Sequence, residues 1–286
     1  MATNPITHVS DTARWVAIYR AMESERADAL FRDPYARRLG GLQGEAIVAH
    51  LPKAKRMAWP MIVRTAVMDE IILRLVGTQQ VDTVLNLAAG LDARPWRLDL
   101  PPALRWFEVD LPDMLRYKRE QMAGESPRCA LEFIEADLRE ADARTRAFER
   151  AASPGASVLV VSEGLLVYLE RRDVEQLARG LGAQAGMRWW LTDLGGPRLE
   201  KMMNRQWGSR MVEGNATFKF FPPEGTAFFE PFGWREVEFR SMWAESLRLK
   251  RTMRLAWFWN LLGTLAPKKR QEEFARMSGI VLLKRT

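Results

Sequence analysis

The chain of 286 residues has one cysteine, Cys129. A single thiol excludes an internal disulfide and any cysteine-rich metal site. Histidine is almost as scarce: His8 and His50 are the two present. They are too few and too far apart for a histidine-based site, so no metal is expected. No apolar run reaches the roughly 18 residues that span a bilayer. The N-terminus lacks an apolar core behind a charged start, so no signal peptide is expected and a reducing cytoplasm is the simplest setting. Neither a G-x-G-x-x-G fingerprint nor a Tyr-x-x-x-Lys pair is present, which weighs against an NAD(P)-dependent oxidoreductase. Acidic residues are only slightly outnumbered: 43 basic against 36 acidic give +7, a mild excess spread along the chain. No nucleic-acid motif accompanies that charge, so no nucleic-acid partner is expected. The excess does favour an anionic substrate.

What the chain does have is a strand that ends in a turn of small residues. The apolar run Val81 to Leu87, broken by Asp82, Thr83 and Asn86, reads as a buried strand; it breaks at Gly90 after Ala88-Ala89, and a turn with Asp92 follows. A strand ending this way at the carboxyl edge of a parallel sheet is where α/β proteins bind nucleotide-like ligands. Small residues let the backbone come close to the ligand. Twenty residues beyond Gly90 stands Asp110, at the end of a second strand-like run, Trp106 to Asp110. An acid at that spacing is placed to accept hydrogen bonds from ribose hydroxyls. Without the pyrophosphate-binding glycines, the pair points to a ribose-bearing cofactor that needs no phosphate cradle.

The 47% hydrophobic content supports a large core. Residues 11 to about 77 read as helical, with breaks at Pro34, Gly40-Gly41, Pro52 and Pro60. Strands are then expected at 82–88, 105–110, 131–137, 156–163 and 187–193, separated by helices at 112–123, 139–150 and 171–182. This alternation implies an α/β fold, a Rossmann-like, mostly parallel sheet with helices on both faces. After Gly195-Gly196-Pro197 a polar helix is expected to about Trp207, then a loop rich in Phe, Gly and Pro through Pro231. Strands at Gly233–Phe239, with Trp234, Val237 and Phe239 alternating, and at Ile280–Leu283 flank a mostly helical stretch, 241–278. The expected organisation is a helical cap over 1–77, a cofactor-binding core over 78–195, a cap insert over 196–231, and completion of the core sheet over 232–286.

The longer context Val84 to Leu98 (VLNLAAGLDARPWRL) resembles the cofactor turn of the leucine carboxyl methyltransferase-like family of S-adenosylmethionine-dependent O-methyltransferases. That family includes a bacterial branch acting on polyketide carboxylates. Four more segments fit in the family's order: Arg20 to Leu39 (RAMESERADALFRDPYARRL), Val63 to Asp69 (VRTAVMD), Trp106 to Lys118 (WFEVDLPDMLRYK) and Ser162 to Leu169 (SEGLLVYL). The resemblance spans residues 20 to 169. It implies a class I methyltransferase sheet with an antiparallel last strand inserted beside its neighbour. It also implies S-adenosyl-L-methionine as cofactor and methyl transfer to a carboxylate or hydroxyl of a small molecule. In one respect the chain departs from the pattern: Ala88 stands where the family usually has glycine.

By the same resemblance, Asp110 would hold the ribose hydroxyls with Leu111 beside it. Asp137 would take the adenine amino group, and the backbone of Leu138 would meet a ring nitrogen. Glu163 would contact the ammonium of the methionine part, Arg64 its carboxylate, and Gly90 would allow backbone approach. Each has a plainer alternative. Asp110 and Asp137 suit helix caps, Glu163 a salt bridge to one of many arginines, and Arg64 a solvated helix face. Asp92 serves equally as cofactor contact or turn cap, and Tyr168 as a catalytic residue facing the acceptor or a core aromatic. Arg20 and Lys118 are lesser candidates for an anionic group. The run Leu255 to Ala266 holds Trp257, Phe258 and Trp259 between basic residues. It reads first as a helix packed on the sheet, and only second as one lying on a membrane. A non-catalytic descendant binding a partner or membrane is the rival to the enzyme.

Overall fold

The computed structural model describes residues 11–50, 58–213, 217–253, 255–264 and 266–286. His8 and Pro52 lie outside the described residues. Among the described residues there are seven strands: β1 (Thr83–Leu87), β2 (Arg105–Asp110), β3 (Ala130–Glu135), β4 (Val158–Ser162), β5 (Met187–Gly195), β6 (Trp234–Ser241) and β7 (Ser278–Arg285). They form one sheet in the order β3-β2-β1-β4-β5-β7-β6. The first five pair in parallel. β7 is antiparallel to both β5 and β6 and sits between them. The sheet is thus the mixed one that the resemblance implies.

Strands β1 and β4 are buried throughout, as expected for central parallel strands covered on both faces. Alternate side chains feed two cores. On one face Leu85, Phe107, Val160 and Trp190 pack against α6 (Ala141–Ala151), α7 (Arg171–Ala183) and the 3-10 stretch Gly225–Phe232. On the other face Val84, Trp106, Leu159 and Leu191 pack against α3 (Trp59–Gly77). α3 carries Val63, Val67, Ile71 and Leu75, spaced at helical intervals, to that face. Pro60 does not break this helix. It stands in the first turn, where a missing N–H costs nothing.

The N-terminal helices are α1 (Asp11–Ser24) and α2 (Ala36–His50), the second kinked at Gly41. The remaining helices are α4 (Arg94–Arg97), α5 (Pro112–Gln121), α8 (Pro197–Glu213), α9 (Met242–Arg248), α10 (Ala256–Thr264) and α11 (Lys268–Ala275). Several expectations need correction. The helix expected to stop near Trp207 runs to Glu213. The loop before Pro231 ends in a 3-10 stretch closed by Gly233 in the left-handed region. Val237 is not part of an inward alternation. β6 carries an irregularity between Glu236 and Glu238, and Val237 is half exposed there. A bulge shifts the pleat by one residue, which is why Trp234 and Phe239 both reach apolar contacts although they are five residues apart. Nor does the aromatic run pack on the sheet: Trp257, Phe258 and Trp259 are exposed on α10.

Candidate functional site

The carboxyl ends of the strands open into one cavity of about 950 Å³. Arg64, Gly90, Asp92, Asp110, Leu111, Asp137, Leu138, Glu163 and Tyr168 all line it, as does Arg20. Lys118 does not. It is fully buried on α5, with Nζ donating to Glu108 Oε2 at 2.6 Å. The expected anion contact is corrected to a structural pair. A lone buried carboxylate would be costly, and Lys118 compensates Glu108. Burial still pushes the Glu108 carboxyl up to about 7, against the pull of Lys118.

The β1 turn is shaped by its backbone. Ala88 has φ +51° and Gly90 φ +50°. A side chain at Gly90 would also meet the Cβ of Ala13 at 3.3 Å. For Ala88 the left-handed conformation costs about 1–2 kcal/mol, which is the physical content of its departure from glycine. Asp110 accepts the N–H of Gly90 (2.6 Å) on Oδ2 and the N–H of Leu111 (2.7 Å) on Oδ1. It does not cap α5, whose first turn has no side-chain cap. An ionised carboxylate has about four acceptor positions, so two remain. Burial raises the Asp110 carboxyl, and the two N–H groups and Lys118 oppose that rise.

Asp92 caps its own turn by accepting the N–H of Arg94 at 2.9 Å. It also takes Asn86 Nδ2 (2.9 Å) and Arg94 Nη1 (2.7 Å). This explains the polar Asn86 inside the β1 apolar run. Burial alone would raise the Asp92 carboxyl. The charges of Arg94, Lys118, Arg97 and Arg20 outweigh it and hold the group well below the usual carboxylate range. Asp137 is clamped by the Arg139 side chain and accepts the Arg139 N–H at 2.9 Å. Helix α6 starts at Ala141, so Asp137 caps no helix. The Leu138 carbonyl is fixed by Arg144 Nη1 at 2.8 Å.

Glu163 and Arg64 meet. Arg64 Nε donates to Glu163 Oε1 (2.9 Å) and Arg64 Nη1 to Asp193 Oδ2 (3.1 Å). Arg94 Nη1 reaches Glu163 Oε2 at 2.7 Å. Burial would raise Glu163, but Arg94 and Arg64 outweigh it and lower its pKa. Arg64 is therefore no solvated helix arginine. Gly164, at φ +65°, makes room for it: a Cβ there would meet Arg64 Nη1 at 3.1 Å. The network continues through Asp69, which binds Arg94 Nε (2.6 Å) and Arg97 Nη1 (2.6 Å). Arg20 Nε donates to Asp33 at 2.8 Å and Nη2 to the Leu91 carbonyl at 2.6 Å. Three buried donors of cavity-wall residues have no hydrogen-bond partner among the described residues: Arg94 Nη2, Arg97 Nε and Thr65 Oγ1.

Sequence reading assigned no role to Asp193, Arg94 or Thr65. Asp193 lies near the end of β5, as Asp110 ends β2, so an acid at one more strand terminus was the available signal. Arg94 lay inside the quoted turn motif. Thr65, between buried residues of α3, carried no signal.

The opposite half of the cavity is apolar. α1 contributes Trp15, Val16 and Tyr19; α8 contributes Leu199, Met202 and Met203; Phe218, Phe220 and Phe221 close it. Tyr168 sits at the junction, on a 3-10 turn, with its ring 5.6 Å from that of Phe218. Burial raises its pKa, with a hydrogen bond to Thr12 and the charge of Arg64 acting against this. Among the described residues no histidine lines the cavity.

Residues 13–182 match the sequence profile of the leucine carboxyl methyltransferase family, and the chain belongs to that family. A Mycobacterium tuberculosis protein (strain ATCC 25177 / H37Ra), named for S-adenosyl-L-methionine-dependent methyl transfer, is 36% identical over 199 residues, covering 64% of each chain. A Streptomyces coelicolor protein of the same naming is 37% identical over 195 residues, covering 63% of this chain and 68% of its own. The matched region thus spans just under two thirds of the mycobacterial relative. Among solved structures, a DUF574 family protein from Streptomyces avermitilis MA-4680 superposes with a TM-score of 0.58 at 14% identity, covering 96% of this chain and 97% of its own. A Thermobifida fusca YX structure bearing a methyltransferase name gives a TM-score of 0.51 at 14% identity, with 94% of each chain covered. At such identities these two speak for the fold.

Proposed function

We propose that the protein is an S-adenosyl-L-methionine-dependent O-methyltransferase acting on a small-molecule carboxylate or hydroxyl. The observation that carries this reading is a single cavity with an ion-paired polar end and an apolar end. The polar end fits the cofactor. Asp110 keeps two acceptor positions for ribose hydroxyls, and Leu111 lies next to it. Asp137 and the fixed Leu138 peptide suit the adenine edge. Glu163 suits an ammonium. For the amino-acid carboxylate, Arg64 is already committed to Glu163 and Asp193. The unpartnered Arg94 Nη2 and Thr65 Oγ1 therefore join it as donors. Buried donors left unpaired cost about 1–3 kcal/mol each, so a ligand that engages them is favoured by that amount.

When bound, the cofactor supplies an electrophilic methyl group on sulfur. The chain's residues then have to align the acceptor oxygen with it and keep water out. The apolar end, with Trp15, Met203 and Phe218 on its walls, does the second. Tyr168, at the junction, does the first. With its pKa raised by burial it stays protonated near neutral pH and donates a hydrogen bond instead of abstracting a proton. A carboxylate acceptor, ionised above about pH 4, needs no base, and the absence of a cavity histidine among the described residues is consistent with it. The mild positive charge of the chain suits an anionic acceptor. Segments 1–77 and 196–231 act as the cap that selects it. Calorimetric titration with S-adenosyl-L-methionine, beside NADH, tests the first half of the reading. A panel of small carboxylic acids assayed for methyl-ester formation tests the second. Binding of NADH in preference, or cofactor binding with no turnover on any carboxylate or hydroxyl acceptor, sinks it.

A further inference from the structure

We propose that α10 and its basic flanks form a docking element for an anionic membrane surface, seated at the mouth of the cavity. Trp257 is 68% exposed and Trp259 54% exposed, with the ring of Phe258 within 6 Å of both. Only Ala256 of that turn is buried. Such a cluster of large apolar side chains on a surface marks an interaction site, and tryptophans suit the headgroup level of a bilayer, where one edge is wet and the other apolar.

The charge points to the occupant. Between Arg248 and Arg270 the chain carries seven basic residues and no acidic one. That equals the whole chain's net +7, so the excess expected to be spread along the chain is instead concentrated here, and the rest of the chain is balanced. Lys250, Lys268, Lys269 and Arg270 are exposed. Arg248 is engaged by Glu70 and Glu245, and Arg251 by Glu23. The nearby acids Glu272 and Glu273 lie on α11, Glu273 paired with Arg198. An amphipathic surface with exposed aromatics and a basic rim fits anionic lipid headgroups over an acyl layer.

The patch is continuous with the cavity. Trp243, on the cavity wall, donates from Nε1 to Asn260 of α10 (3.4 Å) and packs its ring 5.8 Å from that of Phe274. Met253 and Phe274 belong to both the wall and the exposed surface, at 42% and 41% exposure. An apolar acceptor partitioned in the bilayer thus has an apolar path to the cavity. That consequence rests on the methyl-transfer reading; the docking itself does not.

The test is co-sedimentation of the full chain with vesicles of phosphatidylcholine alone and with about one third phosphatidylglycerol. Three proteins are compared: wild type, Trp257→Ser with Trp259→Ser, and Lys268→Glu with Lys269→Glu. S-adenosyl-L-methionine titration of each reports folding and the cofactor site separately. The expected result is binding to the anionic vesicles that weakens with salt and falls about tenfold or more in both variants. Cofactor affinity stays unchanged. Binding that the variants leave intact, or no binding by a wild type whose melting transition is normal, overturns the proposal. So does a wild-type dimer in light scattering that the tryptophan variant abolishes while vesicles capture neither, which would make the patch a contact between copies.

Discussion

The two ends of the cavity are built on opposite principles. At the polar end, side chains are held by charge: Arg64, Arg94, Asp92, Glu163 and Asp193 fix one another through directed hydrogen bonds within 3.1 Å. At the apolar end, Met202, Met203 and Phe218 make no such demands. Methionine has three rotatable bonds and a polarizable sulfur, so it fills irregular gaps. A rigid end serves one fixed ligand, and a compliant end admits a range of shapes. Under the function proposed above, this contrast would put cofactor recognition at the strand termini and acceptor choice in the cap.

The sharpest way to break this contrast is at Asp110. Asp110→Ala should cost about 3 kcal/mol of S-adenosyl-L-methionine binding, more than a hundredfold, because two charge-assisted hydrogen bonds are lost. Titration calorimetry measures it, and Asp110→Asn, which keeps the shape, should lose less. Next comes Arg64→Met. Glu163 keeps Arg94, but Asp193 loses its guanidinium, and we expect about 2 kcal/mol of stability lost in urea unfolding. An unchanged unfolding midpoint would show that the network is not coupled as the distances suggest.

A pH series sharpens the same point. Asp92 and Glu163 have folded pKa values below their unfolded ones. Their contribution is therefore complete above the unfolded values near 4 and is lost as pH falls through the folded ones. The melting temperature of wild type should drop below about pH 4, and Arg64→Met, having less to lose, should drop less. At the other end, Phe218→Ala should raise the acceptor KM about tenfold, with the cofactor Kd unchanged. An equal effect on both would erase the division of labour. The smallest effect is a gain: Ala88→Gly, relieving φ +51°, should add about 1 kcal/mol of stability in denaturant unfolding.

The parallel strands were legible because each is an apolar run of limited length between turn residues, and the positions of Asp110, Asp137 and Glu163 followed from strand ends. The ionic network was not legible. Arg64 and Asp193 are 129 residues apart, Arg94 and Glu163 69 apart, and nothing local pairs them. Lys118 misled because a lysine ordinarily stays in water, and only the buried Glu108 opposite explains its position. The aromatic run misled in the other direction. Apolar content suggests burial, but burial needs a partner surface, and among the described residues no strand or helix covers Trp257. The bulge at Val237 was hidden because one extra residue leaves composition unchanged while inverting the pleat.

The place of β7 bears on how the chain is assembled. β6 joins the sheet only through β7, which pairs with both β5 and β6 and is synthesised after both. Until it arrives, β5 presents an open edge and β6 has no partner at all, and unpaired edges recruit other chains. During synthesis the five parallel strands that bound the cavity are therefore finished while the sheet beside them still waits for its keystone, and that interval is when its open edge is most exposed to other chains.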